Sequence, residues 1–138
     1  MRFELVDQIV ETSATRLVAV RAVTAGEEYL ADHFPTFPVL PGVLMLEAMV
    51  QAARRHIERD SPSPKPWVLG RVRALKYGRF VRPGDTMRIE VSRLGTPTSA
   101  SLDPVEFKGT ITIAGGDDTA AASGRFSLRP TTVPIHAG

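Results

Sequence analysis

The sequence contains no cysteine, so disulfide bonds, thiolate metal sites and a thiol nucleophile are all excluded. It also lacks any apolar run close to the roughly 20 residues that cross a membrane as a helix. The first residues, MRFELVDQIVETS, carry acidic side chains and no long apolar core, unlike a signal peptide. These absences predict a soluble, cytoplasmic protein, and 138 residues are enough for one domain with its own core.

Histidine is also scarce. The chain has three histidines, and no spacing of potential ligands around them predicts a metal site. His56 lies in the polar segment RRHIERD and His136 lies in the last residues, TTVPIHAG. Neither has a neighbouring carboxylate in an apolar segment, and we expect both at the surface.

Positive charge is concentrated in one stretch, although the formal net charge is only +2. From Arg71 to Arg88 the chain has six basic residues and one acid, Asp85. A solvated basic face explains this stretch, and so does a docking surface for an acidic partner. The aromatic residues expected of a nucleic-acid platform are too few here. The candidate docking residues are Arg71, Arg73, Lys76, Arg79 and Arg82.

The order of elements is strands, one helix, then more strands. FELVDQIVE and RLVAVRAV are rich in β-branched residues and predict two strands, and GEEYLADHF is expected to form a short helical turn. Proline is favoured in a first helical turn, which predicts a helix from about Pro41. VLMLEAMVQAA is apolar on every side, as in a buried central helix. SPSPKP then indicates a linker.

Four further strands are predicted, with turns at RPGD and AGGDD: WVLGRVRAL, DTMRIEVSRL, PVEFKGTITIAG and TAAASGRFSLR. A buried helix between strands is best covered by an antiparallel sheet that curls around it, so we predict an α+β fold. This single domain is expected over residues 1–130, with a loose tail over residues 131–138. One sheet around one helix leaves much of its perimeter open, and we expect two such units to pair.

The stretch HFPTFPVLPGVLMLEAMVQ places one carboxylate, Glu47, inside an otherwise apolar segment. An unpaired buried carboxylate is costly, and Gln51, one helical turn later, could satisfy it in a purely structural role. The functional alternative is a carboxylic acid that burial keeps protonated, which can donate a proton near neutral pH.

Two more residues of this stretch suggest chemistry. His33 precedes a rigid proline-rich segment, which suits a general base, although a lone histidine in a loop is often only a loop residue. Gly42 lies at the predicted helix start, where amides lack partners and could stabilise an oxyanion, although a glycine there needs no function. A base, an acid and such amides together suit dehydration of a 3-hydroxyacyl compound, or its reverse.

HFPTFPVLPGVLMLEAMVQAA strongly resembles the active-site motif of the β-hydroxyacyl-(acyl carrier protein) dehydratases of the FabZ type, HFPGxPxxPGVLxxEAMAQ. KYGRFVRPGDTMRIEV resembles their later element, KFRRPVxPGDxL. The resemblance implies a hot-dog fold, in which a curled antiparallel sheet wraps one long central helix. It also implies a homodimer with composite active sites, histidine from one subunit and glutamate from the other. Assembly into a trimer of dimers is left open.

By motif position, the resemblance makes His33 the catalytic base and Glu47 the catalytic acid. Gly42 falls on the glycine whose amide contacts the thioester carbonyl, with Val43 beside it in the oxyanion and substrate site. The supporting residues are expected to be Gln51, Phe34 and Pro41.

The implied reaction converts a (3R)-3-hydroxyacyl thioester into a trans-2-enoyl thioester in fatty acid or related acyl-chain biosynthesis. The acyl group would arrive on the phosphopantetheine of an acyl carrier protein, and no metal or redox cofactor is expected. Since the carrier is acidic, the basic stretch becomes its expected dock. The open alternatives are a hot-dog acyl thioesterase, a specialised dehydratase and a non-catalytic acyl-binding module. Departures from the family patterns include Thr36, Phe37, Gly78 and Phe80.

Overall fold

A computed structural model of the chain describes residues 5–24, 40–60, 67–95, 104–117 and 119–131. Across these ranges six strands and one helix occur, in the order β1 Gln8–Thr12, β2 Arg16–Ala22, α1 Gly42–Asp60, β3 Trp67–Tyr77, β4 Thr86–Leu94, β5 Val105–Ile113 and β6 Ala122–Pro130. The expected turn over GEEYLADHF, the linker SPSPKP and residues 132–138 of the expected tail lie outside the described residues.

The six strands form one antiparallel sheet in the order β1-β2-β4-β5-β6-β3. The helix contacts five of the strands, β2 to β6. A single helix can touch so many strands only if the sheet curls around it. The predicted architecture, a curled antiparallel sheet around one long helix, is therefore confirmed.

The face of the sheet that covers the helix is apolar. Met87, Ile89 and Val91 alternate along β4 and are fully buried, as their spacing predicts. Phe107 on β5 lies opposite Phe126 on β6, and their rings stack with centroids 5.9 Å apart. The outer face carries the intervening polar residues.

Two glycines face each other on neighbouring strands of the sheet, and one of them contacts the helix. Gly109 on β5 pairs with Gly124 on β6, and the side chain of Met49 lies against Gly109. A Cβ atom on Gly109 would lie 2.6 Å from the Met49 sulfur, which is far below van der Waals contact. A larger side chain at this position would force Met49 or its neighbours to shift.

The two predicted turns are confirmed. In RPGD the Asp85 amide donates to the Arg82 carbonyl at 3.0 Å, and Gly84 adopts φ 97°. After β5 the Gly116 amide donates to the Ile113 carbonyl at 3.0 Å, and Gly115 adopts φ 80°. Both positive φ angles lie in the left-handed region that glycine adopts most easily.

Strand β3 forms one edge of the sheet and contains two irregularities in its pairing with β6. The register shifts between Leu69 and Val72, and again between Arg73 and Lys76. The first extra residue moves Arg73 to the outer face, opposite Arg125. The second returns Tyr77 to the inner face, opposite Ala122, so that its side chain points toward the start of the helix.

The surface position expected for His56 is wrong. Its side chain is fully buried, its Nε2 donates to the Ser13 carbonyl at 2.9 Å, and its ring lies edge-on to Phe107. The physical reason is its helical position, because residue 56 shares one helix face with the buried Met49, Ala52 and Ala53. His56 therefore joins the C-terminal end of α1 to the β1–β2 hairpin.

Candidate active site

The first turn of α1 contains two amides that have no hydrogen-bond partner among the described residues. The amides of Leu44 and Met45 donate to the Pro41 carbonyl at 3.0 and 3.4 Å. Within the described part of the chain, the amides of Gly42 and Val43 make no hydrogen bond. The Val43 side chain is 67% exposed. Two backbone donors without a partner among the described residues therefore lie at the positive end of the helix dipole, where the sequence predicts oxyanion stabilisation.

The start of the helix is fixed by neighbouring backbone. The Leu40 amide donates to the Val81 carbonyl at 2.8 Å, which ties the residue before Pro41 to the segment that follows β3. Proline then supplies a fixed φ suited to helix initiation. This is the local reason that the helix begins at Gly42.

Tyr77 covers the start of the helix, a contact that sequence reasoning missed. Its hydroxyl donates to the Gly42 carbonyl at 2.9 Å, and a Cβ atom on Gly42 would lie 2.9 Å from its ring. Gly42 therefore has a steric role beside Tyr77 in addition to the substrate access that the sequence suggests. The available signal was the position of Tyr77 in KYGRF, where the family pattern has phenylalanine.

Glu47 lies in the second turn of the helix and is half-buried. The Gln51 Nε2 donates to its Oε1 at 3.3 Å, so the pairing predicted across one helical turn is confirmed. The Gln51 Oε1 in turn accepts the Leu5 amide at 2.8 Å. Gln51 thus holds the carboxyl group in place from one side, while Glu47 keeps access to solvent or a ligand.

The other half of the predicted site is not described. His33, Phe34 and the departing residues Thr36 and Phe37 lie in the range 25–39, outside the described residues. The pairing of His33 with Glu47 therefore stays a prediction. Gly42, Val43, Glu47 and Gln51 all lie within the first three turns of one helix.

The five predicted docking residues separate into two groups. Arg71, Arg73 and Lys76 belong to β3 and are exposed, whereas Arg79 pairs with Asp117 at 2.9 Å and Arg82 lies in the following turn. Three cations missed by sequence reasoning join the β3 group on the outer face: Lys108, Arg125 and Arg129. Arg73, Arg125 and Lys108 stand directly abreast on three neighbouring strands. Only the strand register reveals this row, since its members are far apart in sequence.

A groove of about 460 Å³ lies on this outer face. Its charged lining consists of Arg71, Arg73, Arg129 and Glu106, and Ser127 lies between them. Glu106 accepts a hydrogen bond from Arg73 at 2.7 Å, which leaves the surrounding field positive. Like charges placed abreast on a sheet repel one another, so this surface favours a negatively charged ligand or partner.

Two carboxyl groups elsewhere have perturbed pKa values. A hydrogen bond from Arg16 is the main cause that lowers the pKa of Glu90, and Arg88 adds to it. The Thr119 amide, with Arg79, lowers the pKa of Asp117. Both groups lie outside the first turns of α1; the lowered pKa of Glu90 reflects a surface ion pair, and that of Asp117 reflects chiefly the hydrogen bond from the Thr119 backbone.

Metal binding has no candidate in the described ranges, where no group of three or more potential ligand side chains occurs. The expectation that no metal is needed stays a prediction. Of the helices in the same ranges, none is long and apolar enough to span a membrane.

The curled sheet and its single enclosed helix define a hot-dog protein. The solved structure of the dehydratase heterocomplex ApeI:P from Xenorhabdus doucetiae superposes with a TM-score of 0.65, covering 93% of this chain and 99% of that one. The sequence identity is 15%, so this likeness establishes the fold alone.

The family is established by sequence. The model of the ApeI-like family, described as ApeI dehydratase, matches residues 9–124, and the chain belongs to this family. The FabZ 3-hydroxyacyl-[acyl-carrier-protein] dehydratase of Ruminiclostridium cellulolyticum is 36% identical over 110 residues, which are 73% of this chain and 78% of that protein. The resemblance to FabZ-type dehydratases is confirmed.

A second relative is closer in identity but shorter in overlap. The FabZ dehydratase of Oenococcus oeni is 41% identical over 90 residues, which are 64% of this chain. The match spans 65% of that protein, just under two thirds of its length.

Proposed function

We propose that the protein is a 3-hydroxyacyl-[acyl-carrier-protein] dehydratase. The observation that carries this proposal is the arrangement at the start of α1: two amides without a described partner, at Gly42 and Val43, precede a half-buried carboxyl group, Glu47, which Gln51 orients. Family membership and the FabZ relatives support the same reaction class. The substrate would be a (3R)-3-hydroxyacyl thioester and the product a trans-2-enoyl thioester.

The proposed reaction divides the work among three groups. His33 removes the proton from C2, and the electron pair forms the C2–C3 double bond. The amides of Gly42 and Val43 stabilise the negative charge that develops on the thioester oxygen. Glu47 gives its proton to the C3 hydroxyl group, which leaves as water. The thioester remains intact, and none of these steps draws on a metal or redox cofactor.

The active unit in this proposal is a homodimer with composite sites. The exposed apolar side chains Leu69 and Tyr77 belong to β3, and Val43 lies at the helix start that Tyr77 covers. Among the described strands, β3 is also an edge of the sheet, the position at which a further strand would pair. A second copy at this edge would bury these side chains, and the composite site implied by the family resemblance would pair the His33 of one copy with the Glu47 of the other. A trimer of dimers is a further assembly of the same unit.

The acyl carrier protein is the proposed partner, and its phosphopantetheine would carry the substrate. The outer-face cations provide the complementary charge: Arg71, Arg73, Lys76, Lys108, Arg125 and Arg129. Arg79, which pairs with Asp117 as Arg73 pairs with Glu106, and Arg82 remain candidate docking residues outside this group. The cytoplasm is the expected compartment, where such a carrier would be available.

The reaction is tested with a crotonoyl thioester on acyl carrier protein, using mass spectrometry to detect gain of one water. The wild-type protein is expected to form the 3-hydroxyacyl thioester, and both His33→Ala and Glu47→Gln are expected to abolish it. Glu58→Gln, on the exposed side of the same helix, is the matched control and should retain activity. Activity that survives either site substitution would contradict the assigned roles.

Two other results would reject the dehydratase. Release of free thiol would indicate a thioesterase, whereas an intact thioester that never gains water, across several chain lengths, would indicate an acyl-binding module. Docking is tested separately by carrier binding at two salt concentrations. Arg125→Gln with Lys108→Gln should weaken binding and reduce its salt dependence, because two cations of the surface are lost.

A further inference from the structure

We propose that Tyr77 is a positioning residue for the amide donors at the start of α1, a role that rests on the proposed function. Two contacts hold the residue there: its hydroxyl donates to the Gly42 carbonyl at 2.9 Å, and its ring fills the space beside the Gly42 Cα. The second irregularity of β3 makes both contacts possible, since it returns Tyr77 to the inner face of the sheet.

Tyr77 acts through one peptide group. The Gly42 carbonyl and the Val43 amide belong to the same rigid plane, so a bond that fixes the carbonyl also fixes the direction of the N–H. A hydrogen bond to the carbonyl polarises the group and makes the N–H a stronger donor. The Val43 amide makes no hydrogen bond among the described residues. The stronger donor therefore acts on the thioester oxygen of the substrate that would bind there.

The hydroxyl and the ring of Tyr77 have separable roles. The family pattern KFRRPVxPGDxL has phenylalanine at this position, so a ring alone is compatible with that pattern. The hydroxyl adds a bond to the Gly42 carbonyl, and the side chain is 49% exposed. The hydroxyl therefore adjusts the donor strength at Val43, while the ring limits the space beside Gly42.

The experiment uses Tyr77→Phe, which removes the hydroxyl and keeps the ring. With a short free thioester, crotonoyl N-acetylcysteamine, carrier docking does not contribute to the rate. We expect kcat for hydration to fall about threefold to tenfold, the range for one hydrogen bond, with KM nearly unchanged because the oxyanion forms only in the transition state. Ser13→Ala, which removes a hydroxyl that accepts the Thr15 amide, is the control and should leave kcat unchanged.

A second readout does not depend on turnover. In 15N-labelled protein, the Val43 amide proton of Tyr77→Phe should move upfield, because the peptide group loses its polarising bond. The ring is retained, so ring-current effects stay similar. The melting temperature and the oligomeric state, measured in parallel, identify any structural loss.

A double-mutant cycle tests the coupling with Gly42. Gly42→Ala should displace the Tyr77 ring, since the new Cβ would lie 2.9 Å from it. Removal of the hydroxyl in the Gly42→Ala background should then cost less than about twofold in kcat, because the bond is already lost. Full additivity of the two losses would show that the residues act independently and would overturn the proposed coupling.

The outcomes separate this inference from the proposed function. A Tyr77→Phe variant with unchanged kcat, or with a loss confined to KM or to stability, overturns the positioning role. A wild-type protein without hydration activity rejects the dehydratase proposal. In that case the chemical shift of the Val43 amide proton still shows whether Tyr77 polarises the peptide group. An unchanged chemical shift in Tyr77→Phe overturns the inference.

Discussion

The two ends of α1 each hold one polar side chain against the apolar core, and the two differ in access. Glu47, near the start, is half-buried and receives one hydrogen bond from Gln51. His56, near the end, is fully buried between the Ser13 carbonyl and the Phe107 ring. The more deeply buried group, His56, is not one of the residues proposed for the reaction. Burial of a polar residue therefore does not indicate catalysis unless a path for a substrate accompanies it.

The largest expected effect is on Glu47, at the accessible end. Glu47→Gln should lower kcat for dehydration by at least about 100-fold, since proton donation is lost. The side chain keeps its size and its neighbour Gln51, so the melting temperature should stay within a few degrees. Steady-state kinetics and thermal unfolding measure the two quantities. A Glu47→Gln variant with near-normal kcat would contradict the proposed role of Glu47 as the proton donor.

At the opposite end, His56→Ala should destabilise the fold by about 2–4 kcal/mol, because a packed ring and a buried hydrogen bond are both lost. Urea unfolding measures the change, with exposed Glu58→Ala as the control. The folded fraction should retain the wild-type kcat. A large loss of kcat in fully folded His56→Ala protein would mean that His56 contributes to the reaction as well as to stability.

Gln51 is expected to affect both stability and the proposed reaction, since it forms hydrogen bonds with Glu47 and with the Leu5 amide. Gln51→Leu should cost about 1–2 kcal/mol of stability, because the buried Leu5 amide loses its acceptor. It should also lower kcat, because Glu47 loses its orienting donor. Gln51→Glu keeps an acceptor for Leu5 and should retain more stability, yet it should still impair kcat. Equal stability of these two variants would contradict the assigned contact with Leu5.

The smallest effect is expected at Glu90, a carboxylate of the outer face that is held by charge. The hydrogen bond from Arg16 lowers the pKa of Glu90 in the folded protein. Glu90 therefore stabilises the fold at pH values above its ordinary pKa of 4.5. The contribution disappears as the pH falls through the lowered pKa. Glu90→Gln should therefore be less stable at pH 7 by under about 1 kcal/mol, and the difference should vanish in acid. Unfolding at several pH values measures this; a constant difference would contradict it.

Local patterns predicted much of this structure, including the helix from Pro41, the six strand segments and the Glu47–Gln51 pair. These features depend on residues close in sequence. Contacts between distant segments were missed: Tyr77 with Gly42, His56 with Ser13, and the row that joins Arg73 to Arg125 and Lys108. Two register irregularities in β3 determine which of its side chains face inward, and periodicity does not reveal them.

The position of β3 in the sheet has a consequence for folding during synthesis. The ribosome makes β3 before β4 and β5, yet its partner in the sheet is β6. Until β6 has emerged, the apolar helix of the nascent chain is only partly covered by the sheet, and β3 lacks the strand with which it pairs. Such intermediates expose surfaces that favour aggregation, and their long-range closure is slow. We therefore expect productive folding to wait for β6, so that chaperone demand is greatest just before that strand is complete.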